Sequence, residues 1–235
     1  MTCRALLLQT AVAVIVVGRV LLDPPTAAAQ DALTASPRAY TLELENQWVR
    51  VMRLKLGPKE SSVAHLHPNV VGVFLTDANI KVTNADGTML NLVRSAGQVV
   101  FQPADGQQAH TEQNMSDQPL EVVVVELKPG AAGSSAPVSL DPVTLDPEHH
   151  PVLLDNPRVR VIRTILEPHL KSPMHEHPHY VVVYLTELHT TMTMADGRKV
   201  DNPRKPGDVA WRDALKHETE NIGAKTAVEI QIELK

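Results

Sequence analysis

The sequence contains almost no cysteine: Cys3 is the only one among 235 residues. Because Cys3 lies in an N-terminal segment that we expect to be removed, the mature chain would contain no thiol. Disulfide bonds and thiol chemistry are therefore excluded from both its stability and its function. A chain of this kind suits an oxidising compartment.

Clusters of basic residues are also lacking. The chain has 22 Lys and Arg against 27 Asp and Glu, which gives a formal net charge of −5. Proteins that bind nucleic acids or anionic membranes usually concentrate positive charge on one face. The composition therefore argues against nucleic acid as a partner, and against a membrane once the N-terminal segment is removed.

The first 29 residues have the features of a secretory signal peptide. Arg4 precedes an apolar stretch over residues 5–18, and the sequence TAAAQ, ending at Gln30, offers a small-x-small cleavage site. The rival interpretation is an uncleaved membrane anchor, but the apolar run is shorter than the roughly 20 residues that a spanning helix needs. We expect cleavage after residues 1–29 and a periplasmic or secreted protein.

Helical periodicity is missing after this segment, and an internal repeat is present instead. Residues 45–58 (ENQWVRVMRLKLGP) align with residues 155–168 (DNPRVRVIRTILEP), and VELK at 125–128 aligns with IELK at 232–235. Self-similarity over most of the chain indicates two homologous modules. The stretch between them is rich in Pro, Ala and Ser, which is typical of a linker.

Each module has the pattern of short β-strands. Segments rich in Val, Ile, Leu and Thr alternate with turn signals, and each module contains an Ala-Asp-Gly sequence placed as a hairpin turn. We expect helices to be few and short. The pattern predicts an all-β chain with small barrels over residues 40–128 and 149–235, joined by a linker at 129–148.

Histidines carry the strongest functional signal. Alternate side chains of a strand share a face, so each H-x-H sequence places two imidazoles roughly 6 to 7 Å apart, where they can converge on one metal ion. Each module offers a third histidine, followed four residues later by asparagine. The candidate metal ligands are His65, His67 and His110 in the first module and His175, His177 and His217 in the second.

These motifs resemble the cupin superfamily, whose first motif contains H-x-H and whose second has glycine, often proline, and then histidine with asparagine four residues on. Residues 97–114 follow the second motif with one extra residue, whereas residues 207–221 lack its proline and second glycine. The resemblance implies a bicupin, with two tandem double-stranded β-helix barrels packed as an intramolecular pseudo-dimer. The second module is also similar to small cupins linked to beta-alanine degradation, many of them without a known reaction.

The resemblance further implies a glutamate ligand four or five residues after the second histidine, and this glutamate is missing twice. Its positions hold Val71 or Gly72 in the first module and Val181 or Val182 in the second. Three neutral imidazoles would leave a metal with its full 2+ charge and open coordination positions, which favours an anionic substrate or dioxygen. The ligand type suits Fe, Mn, Ni, Cu or Zn without choosing among them.

Five residues are candidates for the surroundings of the metal sites, four in the second module and Phe101 in the first. If alternation continues from the histidine pair, Val181 and Val183 face inward and form a dry apolar wall. His179 could be a fourth ligand, a base beside the ligands, or an exposed residue. Trp211 and Phe101 occupy equivalent positions, where core packing is the default and a pocket wall is the alternative.

Three classes of function remain open from the sequence. The leading hypothesis is a metal-dependent, dioxygenase-like oxidation of a small organic acid at the second module's histidines. The first set would be a second site, either active or vestigial. The same centre could instead act as a redox-inert Lewis acid in lyase or isomerase chemistry. The third class is a non-enzymatic module that captures a small ligand or the metal itself.

Overall fold

The computed structural model of the protein describes residues 30–130 and 138–235. The predicted leader, residues 1–29, lies outside the described residues. Within the described ranges the chain forms 17 β-strands and two helices of one turn each, which confirms the all-β prediction. No helix in these ranges is long and apolar enough to cross a membrane.

Both halves have the same order of elements, a short helix followed by strands. The first half comprises α1 (Ala32–Ala35), β1 (Tyr40–Glu45), β2 (Val49–Leu56), β3 (Val70–Phe74), β4 (Ala78–Asn84), β5 (Met89–Arg94), β6 (Val99–Gln102), β7 (His110–Asn114) and β8 (Leu120–Leu127). The second half comprises α2 (Pro142–Leu145), β9 (Val152–Asp155), β10 (Val159–Leu166), β11 (His175–His177), β12 (Tyr180–Tyr184), β13 (Leu188–Met194), β14 (Lys199–Arg204), β15 (Val209–Arg212), β16 (Leu215–Asn221) and β17 (Ala227–Leu234).

Each half is built from two antiparallel sheets. In the first half the strand orders are β1-β2-β8-β3-β6 and β5-β4-β7, and in the second they are β15-β12-β17-β10-β9 and β11-β16-β13-β14. Side chains of the two sheets meet in a shared core, where Ala78 and Ile80 of β4 join Val122 and Val124 of β8. Strands distant in sequence are neighbours in the sheets, as expected for small β-barrels.

The valine runs are strands that are buried on both faces. On β8, Val122 and Val124 face the interior of the first barrel, while Val123 and Val125 belong to a different cluster. A strand covered on both sides needs no polar alternation, which explains why the sequence there is continuously apolar.

That second cluster contains side chains from both halves. Val71 and Val123 lie in it together with Val181 and Val183. Each half also donates one arginine hydrogen bond to a backbone carbonyl of the other half. The guanidinium of Arg53 donates to Gly207 at 2.6 Å, and that of Arg163 donates to Gly97 at 2.8 Å.

The predicted inward orientation of Val181 and Val183 is therefore wrong. Pro178 and His179 interrupt the strand between β11 and β12, so the alternation shifts by one residue. The ring of Tyr180 lies 4.7 Å from that of His177, centroid to centroid. The inward face of β12 consists of Tyr180, Val182 and Tyr184, which share a core cluster of the second half.

The structural repeat begins earlier than the sequence indicated. Asp31 caps α1 and Asp141 caps α2, each accepting a hydrogen bond from a backbone amide of its helix. Both aspartates also form ion pairs with arginines of the following module, Arg50 and Arg160 respectively. The last part of the predicted linker at 129–148 thus packs as the opening turn of the second half.

Candidate metal centres

The strand pairing brings three histidines together in each half. In the first half an antiparallel bridge joins His65 and His110, whose backbones exchange hydrogen bonds of 3.0 and 2.9 Å. In the second half β11 pairs with β16 and sets His175 directly opposite His217. Side chains directly opposite each other in an antiparallel pair are in contact range.

One nitrogen from each histidine lies within 4.8 Å of the corresponding nitrogens in its set, so both sets could hold a divalent metal. All the imidazoles are buried except that of His110, which is partly exposed. The N-terminal centre is defined as His65, His67, His110 and Glu112, and the C-terminal centre as His175, His177 and His217.

Hydrogen bonds fix the tautomers in the N-terminal centre. The Nδ1 of His65 donates to the carbonyl of Val63 at 2.7 Å, and the Nδ1 of His67 donates to the carboxylate of Glu126 at 2.7 Å. The Nε2 atoms of both rings then carry lone pairs, and they lie 3.1 Å apart. Two facing lone pairs repel each other unless a cation lies between them, so this geometry fits a metal ion.

The C-terminal centre is arranged in the same way. The Nδ1 of His175 donates to the carbonyl of Pro173 at 2.7 Å, and the Nδ1 of His177 donates to Glu233 at 2.7 Å. The Nε2 atoms of His177 and His217 are buried and have no hydrogen-bond partner in the described part of the chain. Buried nitrogens are rarely left unpaired, so these atoms also fit a metal.

Burial keeps the imidazoles of His65, His175 and His217 in the neutral form that binds metals. Burial, together with the nearby charge of His177, lowers the pKa of His175 to about 3. The same two causes lower the pKa of His217 well below its ordinary value, and burial also lowers the pKa of His65. Neutral imidazoles need not release a proton before they coordinate.

A carboxylate that the sequence analysis missed lies in the N-terminal centre. Glu112 follows His110 by two residues on β7, and its Oε2 lies 3.6 Å from the Nε2 of His65. The hydroxyl of Tyr40 donates to Glu112 at 2.8 Å. Burial and the charge of Glu112 raise the pKa of Tyr40 well above its ordinary value, so the hydroxyl stays protonated. The expectation that both sites lack a carboxylate is wrong here.

None of the described residues places such a carboxylate in the C-terminal centre. Thr219 lies two residues after His217, at the position that corresponds to the glutamate in the other centre. His150, which the repeat alignment places at the position of the tyrosine, is buried, and its ring centroid lies 5.5 Å from that of His175. The prediction of a site with imidazoles and no carboxylate therefore applies to the C-terminal centre and not to the N-terminal one. Because Glu112 belongs only to the N-terminal centre, the two centres differ in charge.

Each centre rests on a buried glutamate that binds an arginine. Glu126 and Glu233 are almost fully buried, and each accepts a hydrogen bond from one histidine of its centre. The Nε of Arg50 donates to Glu126 at 2.7 Å, and the Nε of Arg160 donates to Glu233 at 2.6 Å. Burial alone would raise the pKa of Glu233, but the hydrogen bonds from the histidine and from Arg160 hold it below its ordinary value.

These glutamates had a signal in the sequence. They are the acidic residues of the repeated VELK and IELK segments, where apolar residues flank an acid in both modules. An acid that recurs inside a buried strand needs a partner, and a histidine can supply it.

The two barrels differ in the space beside the centre. The N-terminal half contains a cavity of about 600 Å³, and Tyr40, His67, His110 and Glu112 lie in its wall. The corresponding space in the C-terminal half is about 20 Å³, room for little more than one water molecule. Only the N-terminal cavity has the size of a typical small-molecule site among the cavities beside the two centres.

Large side chains and a polar contact close the C-terminal barrel. Tyr180 and Val182 occupy the positions at which the repeat has Val70 and Gly72 in the first half. In addition, Arg212 of β15 donates to the side chain of Asn202 on β14 at 3.1 Å and links the edges of the two sheets.

The remaining predicted pocket residues have separate places. Phe101 borders the N-terminal cavity and also packs against the apolar cluster shared by the two halves. His179 and Trp211 lie instead in an aromatic stack with Trp48 of the first half, where the ring centroids of His179 and Trp48 are 4.4 Å apart. His179 is therefore neither a fourth ligand nor a base beside the C-terminal centre, and Trp211 is not part of that centre's pocket wall.

No family model and no curated protein matches the sequence, whereas solved structures match its fold. A cupin 2 conserved barrel domain protein from Leptotrichia buccalis has a TM-score of 0.52 at 12% identity, covering 83% of this chain and 88% of that one. A variant of oxalate decarboxylase from Bacillus subtilis has a TM-score of 0.56 at 15% identity, covering 84% and 76%.

Salicylate 1,2-dioxygenase from Pseudoaminobacter salicylatoxidans, solved as an adduct with gentisate, is a third similar structure. Its TM-score is 0.53 at 12% identity, covering 79% of this chain and 68% of that one. These similarities confirm the predicted fold, two tandem cupin barrels. Identities this low carry no further conclusion about activity.

Proposed function

From the bicupin fold and the geometry of its histidines we infer that this protein is a metal-dependent enzyme whose active site is the N-terminal centre. His65, His67, His110 and Glu112 would hold a divalent metal. The observation that carries this proposal is the pair of facing Nε2 atoms beside a cavity of about 600 Å³. The sequence had favoured the second module, but among the described residues no space of comparable size lies beside the histidines of that half.

The proposed reaction is the oxidation of an organic acid by dioxygen. A bound redox-active metal such as iron or manganese would supply activation of dioxygen and polarisation of the substrate. The names of two similar structures support this class, since one is a dioxygenase of salicylate and the other a decarboxylase of oxalate. The chain itself would contribute a largely apolar cavity and a set of imidazoles held in place by hydrogen bonds.

A redox-inert lyase is the second candidate, and the contact between Tyr40 and Glu112 favours it. A tyrosine hydroxyl that donates to a carboxylate at 2.8 Å can pass a proton at the cavity wall. In such a reaction the metal would act as a Lewis acid. Turnover with zinc under anaerobic conditions would support the lyase and exclude the dioxygenase.

For the C-terminal centre we propose a metal with a structural role. His175, His177 and His217 would hold it in a closed barrel, where the space of about 20 Å³ excludes an organic substrate. Imidazole ligands without a carboxylate suit zinc, copper or nickel as well as iron.

Elemental analysis tests the assignment of the two centres. The protein is residues 30–235, purified without chelator or affinity histidines, beside the variants His65→Ala/His67→Ala and His175→Ala/His177→Ala. We expect two metal ions per chain in the parent and one in each variant. Oxygen uptake with organic acids should be lost only when the N-terminal centre is changed. Loss of uptake only in the C-terminal variant, or a parent that retains no metal after reconstitution, would contradict the proposal.

Glu112→Gln should weaken metal binding at the N-terminal centre. Removing a ligand or an oxygen close to the ligands typically costs about 10 to 100-fold in metal affinity. Competition with a chromophoric chelator would measure this affinity. The reciprocal variant, Thr219→Glu, adds the carboxylate to the other centre and should strengthen binding there. An unchanged affinity in Glu112→Gln would show that Glu112 is not a ligand.

We further propose that the two barrels pack as an intramolecular pseudo-dimer in a periplasmic or secreted protein. The shared apolar cluster and the reciprocal bonds of Arg53 and Arg163 support the packing. The pattern of residues 1–29 supports export. Mass spectrometry of the exported protein should find an N-terminus at Gln30.

A further inference from the structure

An arginine without an ionic partner lies in the wall of the N-terminal cavity. Arg94 is the last residue of β5, and it lines the cavity together with Leu90 and Leu92 on the same face of that strand. Within residues 30–130 and 138–235 its Nε is buried without a hydrogen-bond partner, and its Nη1 donates only to the backbone of Val93, at 2.8 Å. Among the described residues, Arg94 forms no ion pair.

The corresponding arginine in the closed barrel is satisfied. The Nε of Arg204 donates to the side chain of Asn202 at 2.9 Å, and its guanidinium lies over the ring of Tyr184 at 5.3 Å from the centroid. The first half has Leu92 at the position of this asparagine. Among the described residues, the open barrel thus lacks the internal partner that this arginine has in the closed one. A buried donor without a partner costs free energy unless a ligand supplies an acceptor.

Arg94 lies far from the N-terminal centre along the barrel. On β4, Ala78 pairs with Arg94 and Asn84 pairs with His110. Ala78 and Asn84 are six residues apart on β4, which corresponds to roughly 20 Å at about 3.3 Å per residue. The backbones of Arg94 and His110 are therefore separated by a similar distance along the strand direction. The two side chains can close only part of this distance, so a ligand that reaches both ends must be elongated.

The wall between the two ends is apolar. Ile80, Val82, Leu92, Phe74, Val122 and Val124 line this stretch of the cavity. A wall of this composition accepts hydrocarbon and excludes a chain of polar groups, because nothing there can replace lost hydrogen bonds to water.

We propose that the N-terminal cavity binds an elongated, largely apolar carboxylic acid, with its carboxylate on Arg94 and its remote end toward the histidines. This inference specifies the substrate class of the proposed active site and rests on that proposal only for the metal at the far end. Arg94 is the residue that selects for the anionic head group, because a guanidinium binds a carboxylate through charge-assisted hydrogen bonds. A two-carbon acid would fill only a small part of the cavity.

Isothermal titration calorimetry with acetate, hexanoate, decanoate and decanamide tests this proposal on the full mature chain. Decanoate should bind at least tenfold more tightly than acetate, because its chain is buried against the apolar wall. The variant Arg94→Met should weaken decanoate binding by about 10 to 100-fold, the loss of one charge-assisted contact, and leave decanamide nearly unchanged. Arg204→Met, the matched change in the closed barrel, should bind decanoate like the parent.

Two outcomes would overturn the inference: equal affinity for acetate and decanoate, or equal affinity of the parent and Arg94→Met for decanoate. The same titration on His65→Ala/His67→Ala separates this inference from the proposed metal site. Decanoate binding that depends on Arg94 but persists in that variant would support the carboxylate site whether or not the centre holds a metal.

Discussion

Val70→Tyr should weaken ligand binding in the N-terminal barrel by about 10 to 100-fold while leaving the metal in place. Tyr180 occupies the corresponding position in the second half, is fully buried, and helps to reduce the space there to about 20 Å³. The same backbone position thus accepts a tyrosine in this fold. A ligand would have to displace the new ring, and overpacking of that size costs about 1 to 3 kcal/mol, which corresponds to roughly 10 to 100-fold in affinity.

The measurement is calorimetric affinity for decanoate together with the metal content of the same sample. Val70→Ile, which adds only one methylene, serves as the matched control and should bind ligand like the parent. A second filling variant, Gly72→Val, introduces the residue found at position 182. Its Cβ would lie 3.2 Å from a methyl carbon of Val100, so the Val100 side chain has to shift to make room for it.

Unchanged affinity in Val70→Tyr, in a protein that still unfolds cooperatively with heat, would place the ligand outside this cavity. Loss of metal as well as ligand would instead mean that the tyrosine disturbs the histidines. Metal content therefore separates a filled cavity from a damaged centre.

Much of the fold was predictable from local patterns. The repeat, the hairpin turns and the apolar runs depend on residues close in sequence, and the structure reproduces them as paired sheets in both halves. The six histidines were also found, because the H-x-H spacing and the strand period together set two imidazoles on one face.

The features that were missed depend on contacts between distant strands. Glu112 reaches the N-terminal centre only because β7 pairs with β4 and is bridged to His65, and Tyr40 arrives from a strand 25 residues earlier in the chain. The orientation of Val181 depends on a single interruption at Pro178 and His179. A shift of one residue moves every side chain of a strand to the opposite face. The alternation read from the histidines therefore cannot be continued past the interruption.

The size of the cavity beside each centre likewise could not be predicted from the sequence. It depends on the combined volume of side chains from both sheets and on the polar contact of Arg212 with Asn202 at the sheet edges. Two modules with the same histidines can therefore differ about thirtyfold in internal space, from roughly 600 to roughly 20 Å³.

Glu233→Ala should destabilise the protein by about 3 kcal/mol, the lower end of the cost of breaking a buried ion pair. Glu233 is 1% exposed and accepts hydrogen bonds from both His177 and Arg160. Its removal leaves the Nδ1 of the histidine without an acceptor and Arg160 with only Asp141, at 2.9 Å. The loss stays at the lower end because that second carboxylate remains.

Urea unfolding of the metal-free protein measures this change without a contribution from metal binding. Glu233→Gln keeps the volume and one acceptor oxygen, so its loss of free energy should be smaller than that of the alanine variant. Glu126→Ala, the matched change in the other barrel, should cost a similar amount, since Glu126 holds His67 and Arg50 in the same way. If Glu233→Ala unfolds at the parent's urea concentration, the glutamate does not stabilise the fold, and its role is confined to orienting the histidine.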